Sequence, residues 1–233
     1  LRHVTNAGNS LLDWLSRSLK WISFLIIYLL DTGILTFATA MVKRPGVVNR
    51  SIGIMLIYSA LLLAFITWRY QKQLTQNNPR HFGHTRFTAK TIVQLIGFFL
   101  LMLMIQYLWT FLISAHILSN PVNQKELTSQ VIQLPFWNLA YSILFAPVIE
   151  ELIFRGIFLN YFFRGNSRTL NILGVFMSGL IFGYLHTMSL TPTLLMYAGL
   201  GWVLGAAYLH FRDIRYNTTL HFLNNAMSLM AFM

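Results

Sequence analysis

The stretch Glu150-Glu151-Leu152-Ile153-Phe154-Arg155 places three formal charges in six residues, between the apolar runs 136–149 and 156–163. An ionisable side chain at the centre of a bilayer costs ~2.5–3.5 kcal/mol on insertion scales. Residues this costly in apolar sequence read as a functional site. Helical spacing divides their roles. Glu151 and Arg155 are four residues apart and share a helix face, so they can pair. Glu150 points about 100° away around the helix and is left free for chemistry. Pro147, three residues earlier, removes a backbone donor and can bend the helix, freeing carbonyls beside the acidic pair. The competing reading is an ion-pair cluster that only joins helices. It weighs as much as function for Glu151 and Arg155, and less for Glu150.

The rest of the chain supplies the solvent for this stretch. Of 233 residues 56% are hydrophobic and 10% charged, against about 25% charged in a soluble domain. Apolar blocks approach the roughly 20 residues that a transmembrane helix needs. The expected fold is all-α and polytopic, about seven (possibly eight) transmembrane helices around a four-helix catalytic core, with no soluble domain beside it. The spans are expected at Trp21–Val42, Ser51–Trp68, Thr91–Ile113, Phe136–Phe163, Leu170–His186, Thr193 to about His210, and Tyr216–Met233. Residues 1–20 carry apolar side chains at helical spacing and read as an interfacial segment. Residues 119–134, which include Pro121, read as a polar connection. Two parts are expected: 1–135, the interfacial segment with three spans, and 136–233, the catalytic core.

The net charge of +11 does not indicate nucleic acid, because the basic residues lie between spans, where lipid headgroups and topology place them. With the N-terminus in the cytoplasm, the cytoplasmic segments hold Arg2, Arg17, Lys20, Arg69, Lys72, Arg80, Arg86, Lys90, Arg164, Arg168, Arg212 and Arg215, twelve in all. The outer segments hold four, Lys43, Arg44, Arg50 and Lys125. The bias favours that orientation. The chain has no cysteine, which excludes disulfides, thiolate metal sites and a cysteine nucleophile.

Other motifs are weaker. Asp31-Thr32-Gly33 spells the aspartic-protease triplet once, inside a span, without the second carboxylate that mechanism needs. It reads as an interior aspartate bonded to another helix. Ala38-Thr39-Ala40 resembles a signal-peptidase site, but the apolar run before it is too long and contains Asp31. His81 and His84 in a basic loop read as solvated, and His116 and His210 as interfacial. His186 closes the fifth span. His221 and Asn225, four residues apart in the seventh, need polar partners inside the bundle. Gly179 with Gly183, and Gly201 with Gly205, are spaced for close helix packing.

One or two carboxylates, two histidines and an asparagine suit hydrolysis. Glu150 can take a proton from water, His186 can orient that water, and His221 with Asn225 can donate to an oxyanion. A zinc variant would use Glu150, His186 and His221 as ligands. The sequence has no His-Glu-x-x-His, Gly-x-Gly-Asp or serine elbow.

These residues resemble the CPBP family, the CAAX prenyl proteases and bacteriocin-processing or immunity proteins also called Abi. Its pattern is Glu-Glu-x-x-x-Arg, Phe-x-x-x-His and His-x-x-x-Asn on successive helices. Here those are Glu150, Glu151 and Arg155; Phe182 and His186; and His221 and Asn225. The resemblance covers about 136–233. It implies an intramembrane endopeptidase in which the first glutamate and first histidine activate water, while the second histidine and the asparagine stabilise the oxyanion. The family is often labelled metalloprotease, which leaves the cofactor as none or zinc. The small size resembles the bacterial branch, and implies a plasma-membrane protein acting on a membrane-associated peptide or protein tail, in peptide processing or self-immunity. A non-catalytic immunity or regulatory protein keeping the motifs is the alternative. A transporter fits less well, because inverted repeats are missing. His186 must lie far along its span for the three motifs to meet, which requires tilted, offset or broken helices.

Overall fold

A computed structural model describes residues 2–119 and 122–230 of the chain; side chains are described outside 2–10, 123–124 and 230. Pro121, the side chain of Arg2 and the end of the expected last span at 231–233 therefore lie outside the described residues.

Among the described residues every regular element is a helix. α1 is Arg2–Ala40, α2 Pro45–Gln76, α3 Ala89–Ser114 and α4 Val122–Gln133. α5 is a continuous rod over 135–162. α6 is Arg168–Thr187, α7 Thr193–Phe211 and α8 Ile214–Met230. In a bilayer each backbone group must be satisfied within the protein, which leaves the helix as the form for such apolar runs. Local signals set the ends. Pro45 occupies the first turn of α2, where its missing N–H costs nothing. Thr88 and Thr91 form a reciprocal capping box at the start of α3. Ser167 caps α6 by accepting from the Leu170 N–H at 3.2 Å.

Among the described residues five helices are long and apolar enough to cross a membrane: 11–40 of α1, then α2, α3, α6 and α7. α5 and α8 fall outside that set because π-helical segments divide α5 and α8 has 17 described residues. The expected interfacial segment is not separate, since the first span continues back through it as one helix. The expected polar connection contains the helix α4.

α3 has only Leu95 and Met102 buried among its 26 residues; so apolar a helix with so little protein cover faces lipid. α6 and α7 are the most closely packed pair. A Cβ on Gly183 would lie 2.7 Å from the Ala198 nitrogen, and one on Gly201 would lie 2.9 Å from the Gly179 Cα. Only glycine permits this approach of two backbones. α5 sits at the centre. Its residues Ile149, Ile153 and Ile157 share one apolar core with Trp21 and Phe24 of α1 and Leu62, Ile66 and Tyr70 of α2.

Interhelix contacts bring the basic loops to one end. The Arg164 guanidinium lies 3.4 Å from Asp13, and the Gly83 N–H donates to the Arg212 carbonyl at 2.8 Å. At the other end, Asn138 of α5 donates to Thr39 of α1 at 3.0 Å.

Candidate active site

Two π-helical segments interrupt α5, at Tyr141–Phe145 and Leu152–Ile157. In the first, the Ala146 N–H bonds the carbonyl of Tyr141, five residues back. One residue on, the same register would pair Pro147 with Ser142, and proline has no N–H to give. The Ser142 carbonyl instead accepts from Asn225 Nδ2 of α8 at 2.9 Å. Pro147 does free a carbonyl, but at Ser142, eight residues before Glu150, rather than beside the acidic pair as expected, and a motif residue uses it. In the second segment the carbonyls of Ile153 and Phe154 accept from Trp21 Nε1 at 3.1 Å and Ser178 Oγ at 2.7 Å. π-bulges of this kind collect at functional sites. Here both are fastened by side chains from neighbouring helices.

Between the two segments lie the glutamates. Glu151 is fully buried, and its Oε1 accepts from Arg155 Nη1 at 2.9 Å and from His221 Nδ1 at 2.9 Å. Its Oε2 accepts from Asn217 Nδ2 at 3.3 Å. Arg155 is also fully buried. Its Nη2 donates to the Gly201 carbonyl at 3.1 Å, and its guanidinium lies over the Phe182 ring at 4.6 Å. A buried charge persists only when paired and hydrogen-bonded, and this pair meets both conditions.

Glu150 is held differently. Its Oε1 accepts from the Tyr28 hydroxyl of α1. Its Oε2 is buried, makes no hydrogen bond, and lies 3.6 Å from His221 Nε2. His221 donates its Nδ1 proton to Glu151, which turns Nε2 towards Glu150. Glu150 Oε2 and His221 Nε2 thus face each other across 3.6 Å.

The three motifs meet around Phe182. Its ring centroid is 4.2 Å from that of His186, in the last turn of α6, and 5.8 Å from that of His221, mid-way along α8. The offset of His186 along its helix is absorbed by the buried Phe182, one turn earlier. His186 Nδ1 donates to the Phe182 carbonyl at 2.8 Å, which leaves Nε2 as an acceptor, and the ring stacks on Tyr197. Asn225 shares the His221 face of α8, but its amide reaches α5 one helix level away, at Ser142.

One comparison with known proteins, that with family models, gave a match. Residues 132–227 fit the family model described as "Type II CAAX prenyl endopeptidase Rce1-like". That stretch is similar to this family. The comparisons with curated proteins and with solved structures gave no match.

The Rce1-like stretch contains Glu150, Glu151, Arg155, His186, His221 and Asn225, but not the group that holds Glu150. Tyr28 lies outside it and was not singled out from sequence. Its one signal was its spacing of three residues from Asp31, which puts both on one face of α1. Asp31 itself is fully buried, and accepts from Ser59 Oγ of α2 at 2.9 and 2.8 Å and from Tyr141 Oη of α5 at 2.9 Å. That is the interior aspartate expected. Asn217 was also missed, although it stands four residues before His221 on the same helix face. His81, His84, His116 and His210 are exposed, as expected.

Among the described residues no three histidine, aspartate or glutamate side chains are grouped closely enough to hold a metal. His221 Nε2 and Glu150 Oε2 approach within 3.6 Å, while the hydrogen bond of the His186 ring goes to the Phe182 carbonyl. The zinc set of Glu150, His186 and His221 does not fit this arrangement, and no step below is routed through a metal.

Proposed function

We propose that the chain is an intramembrane endopeptidase that hydrolyses a peptide bond in a membrane-associated peptide or protein tail. The observation that carries this reading is the buried, unpartnered Oε2 of Glu150, 3.6 Å from His221 Nε2. A water there gives one hydrogen to Glu150 and the other to His221. Its oxygen attacks the peptide carbonyl carbon as its proton passes to Glu150 Oε2. The carbonyl oxygen becomes an oxyanion, stabilised by Asn225, whose second amide hydrogen is left over from the Ser142 bond. Glu150 then returns the proton to the leaving amine as the C–N bond breaks. His186 lies in the mouth of the site and orients the substrate or the water through Nε2. Glu151, Arg155 and Asn217 are positioning residues that fix His221.

The family resemblance supports a bacterial plasma-membrane setting and a place in peptide processing or self-immunity. The basic-residue bias supports a cytoplasmic N-terminus. The test is Glu150→Gln in purified protein, assayed against peptide and lipidated tail substrates. Gln keeps the size and the Tyr28 bond but takes no proton, so cleavage should fall by ~10²–10⁴-fold, the usual share of a general base, with melting unchanged. Wild-type cleavage by Glu150→Gln would overturn the reading. Wild-type protein that cleaves none of these tails, with a cellular phenotype that survives Glu150→Gln, would favour a non-catalytic binding protein.

A further inference from the structure

A cavity of about 270 Å³ opens beside the catalytic cluster. It is lined by the α6–α7 turn, with Thr187, Ser189 and Thr193, by the α3–α4 connection, with Ile117, and by Tyr197 and His186. His186 belongs both to this lining and to the Phe182-centred cluster. The lining is rich in hydroxyl groups, as suits an extended polypeptide whose backbone groups need partners, and unlike a purely apolar lipid groove.

The cavity lies at the end of the bundle where α3 and α6 finish and α7 begins. The opposite end gathers the loops around 69–90, 164–168 and 212–215, which hold most of the basic residues, and the contacts Arg164–Asp13 and Gly83–Arg212 tie them together. The cavity end carries only Lys43, Arg44, Arg50 and Lys125. By the positive-inside rule the cavity end is the outer one.

We infer that this cavity is the mouth of the active site, that it opens on the non-cytoplasmic face, and that the substrate is a polypeptide segment presented outside the cytoplasm. This rests on the endopeptidase reading for the word substrate, and on the basic-residue bias for the side. It separates the chain from any enzyme that receives its substrate tail from the cytoplasm.

The absence of cysteine from these 233 residues makes a direct test available in the protein in intact cells. Single-cysteine variants Ser189→Cys and His186→Cys in the lining and His84→Cys in the opposite loop are treated with a sulfonated, membrane-impermeant maleimide. Ser189→Cys and His186→Cys should label in intact cells, and His84→Cys only after permeabilisation. Labelling of His84→Cys with protection of Ser189→Cys would show the reverse orientation and overturn the inference. Protection of Ser189→Cys while Lys43→Cys labels would show that the outer end is not open there, and would overturn it equally. Should His186→Cys fail to fold, Ser189→Cys against His84→Cys decides the question alone. Labelling needs no turnover, so this outcome is independent of whether Glu150→Gln loses activity.

Discussion

On the α1 side of α5, Glu150 has one donor, Tyr28, and one buried oxygen without a partner. On the α7–α8 side, Glu151 has three donors, Arg155, Asn217 and His221, on its two oxygens. The residues are neighbours in sequence and are both buried, so burial does not distinguish them. Saturation does. A carboxylate both of whose oxygens are engaged by fixed donors is a structural anion, and moving a proton onto it breaks its network. A carboxylate with one engaged and one idle oxygen is oriented and still able to accept. The second condition is the one a general base requires.

The largest effect that would break this contrast is on stability. Glu151→Gln leaves Arg155 buried without its counter-ion, and removing one partner of a buried pair costs ~3–5 kcal/mol. Detergent-solubilised melting and cellular protein level should both fall sharply, and Arg155→Ala should show the same defect. Combining Glu151→Gln with Arg155→Gln removes both charges and should recover part of the stability, though His221 would remain unanchored and activity would stay low. A stable, inactive Glu151→Gln alongside an unstable Glu150→Gln would exchange the two roles.

Tyr28 sharpens the other side. A hydrogen bond to a charged group contributes ~1.5–3 kcal/mol. If it is felt mainly where Glu150 must be aligned, Tyr28→Phe lowers kcat by about 10- to 100-fold. The ring packing is retained, so KM and melting should change little. A loss confined to KM, or a melting loss without a kcat effect, would reduce Tyr28 to a packing residue.

Asp31 provides a third carboxylate for the same contrast. It is as buried as Glu151, yet the hydrogen bonds recorded for it come from hydroxyls, Ser59 and Tyr141. A hydroxyl can donate or accept, so Asp31→Asn can be accommodated by turning Ser59 around. The melting cost should be about 1 kcal/mol, that of one ordinary hydrogen bond, well below that of Glu151→Gln. A cost equal to Glu151→Gln would mean that formal charge at Asp31 matters as much as the pairing with Arg155.

The sequence made one side of this contrast readable and hid most of the other. The Glu151–Arg155 pair, the pairing of His221 and Asn225 on one face, and the missing donor of Pro147 all follow from spacing along single helices. So do the close-packed glycines, because a four-residue repeat is local. The donor to Glu150 comes from α1, more than a hundred residues away, and a tyrosine in an apolar span has no spacing that marks it. The π segments were also hidden. Pro147 predicts a freed carbonyl but not that five residues would take the wider register. Gly156, in the second segment, signals close contact only once the Tyr70 ring is seen 2.9 Å from where its Cβ would stand. The α4 helix was missed because its polar residues show no apolar stripe to read.

The smallest effect concerns an ion pair outside the bundle core, in the turn between α7 and α8. Asp213 accepts from the Arg215 guanidinium at 2.6 Å, and from the backbone N–H groups of Thr85 at 2.8 Å and Arg215 at 3.0 Å. Burial alone would raise its carboxyl. The Arg215 side chain and the two backbone donors outweigh burial and hold it below the usual carboxylate range. A group lowered in this way stabilises the fold fully above its unfolded value of about 3.9, and that contribution fades as pH falls through the folded value. Between pH 5 and pH 8 this clasp should therefore leave melting flat, and Asp213→Asn should lower the plateau slightly. Arg215 is half-exposed, so solvent screens much of its pairing, unlike the sealed Glu151–Arg155 pair. Raised salt should shrink the difference between wild type and Asp213→Asn, and should leave that between wild type and Glu151→Gln unchanged. If salt acts on both alike, the buried pair is reached by solvent, and the saturation that separates Glu151 from Glu150 is not sealed as described.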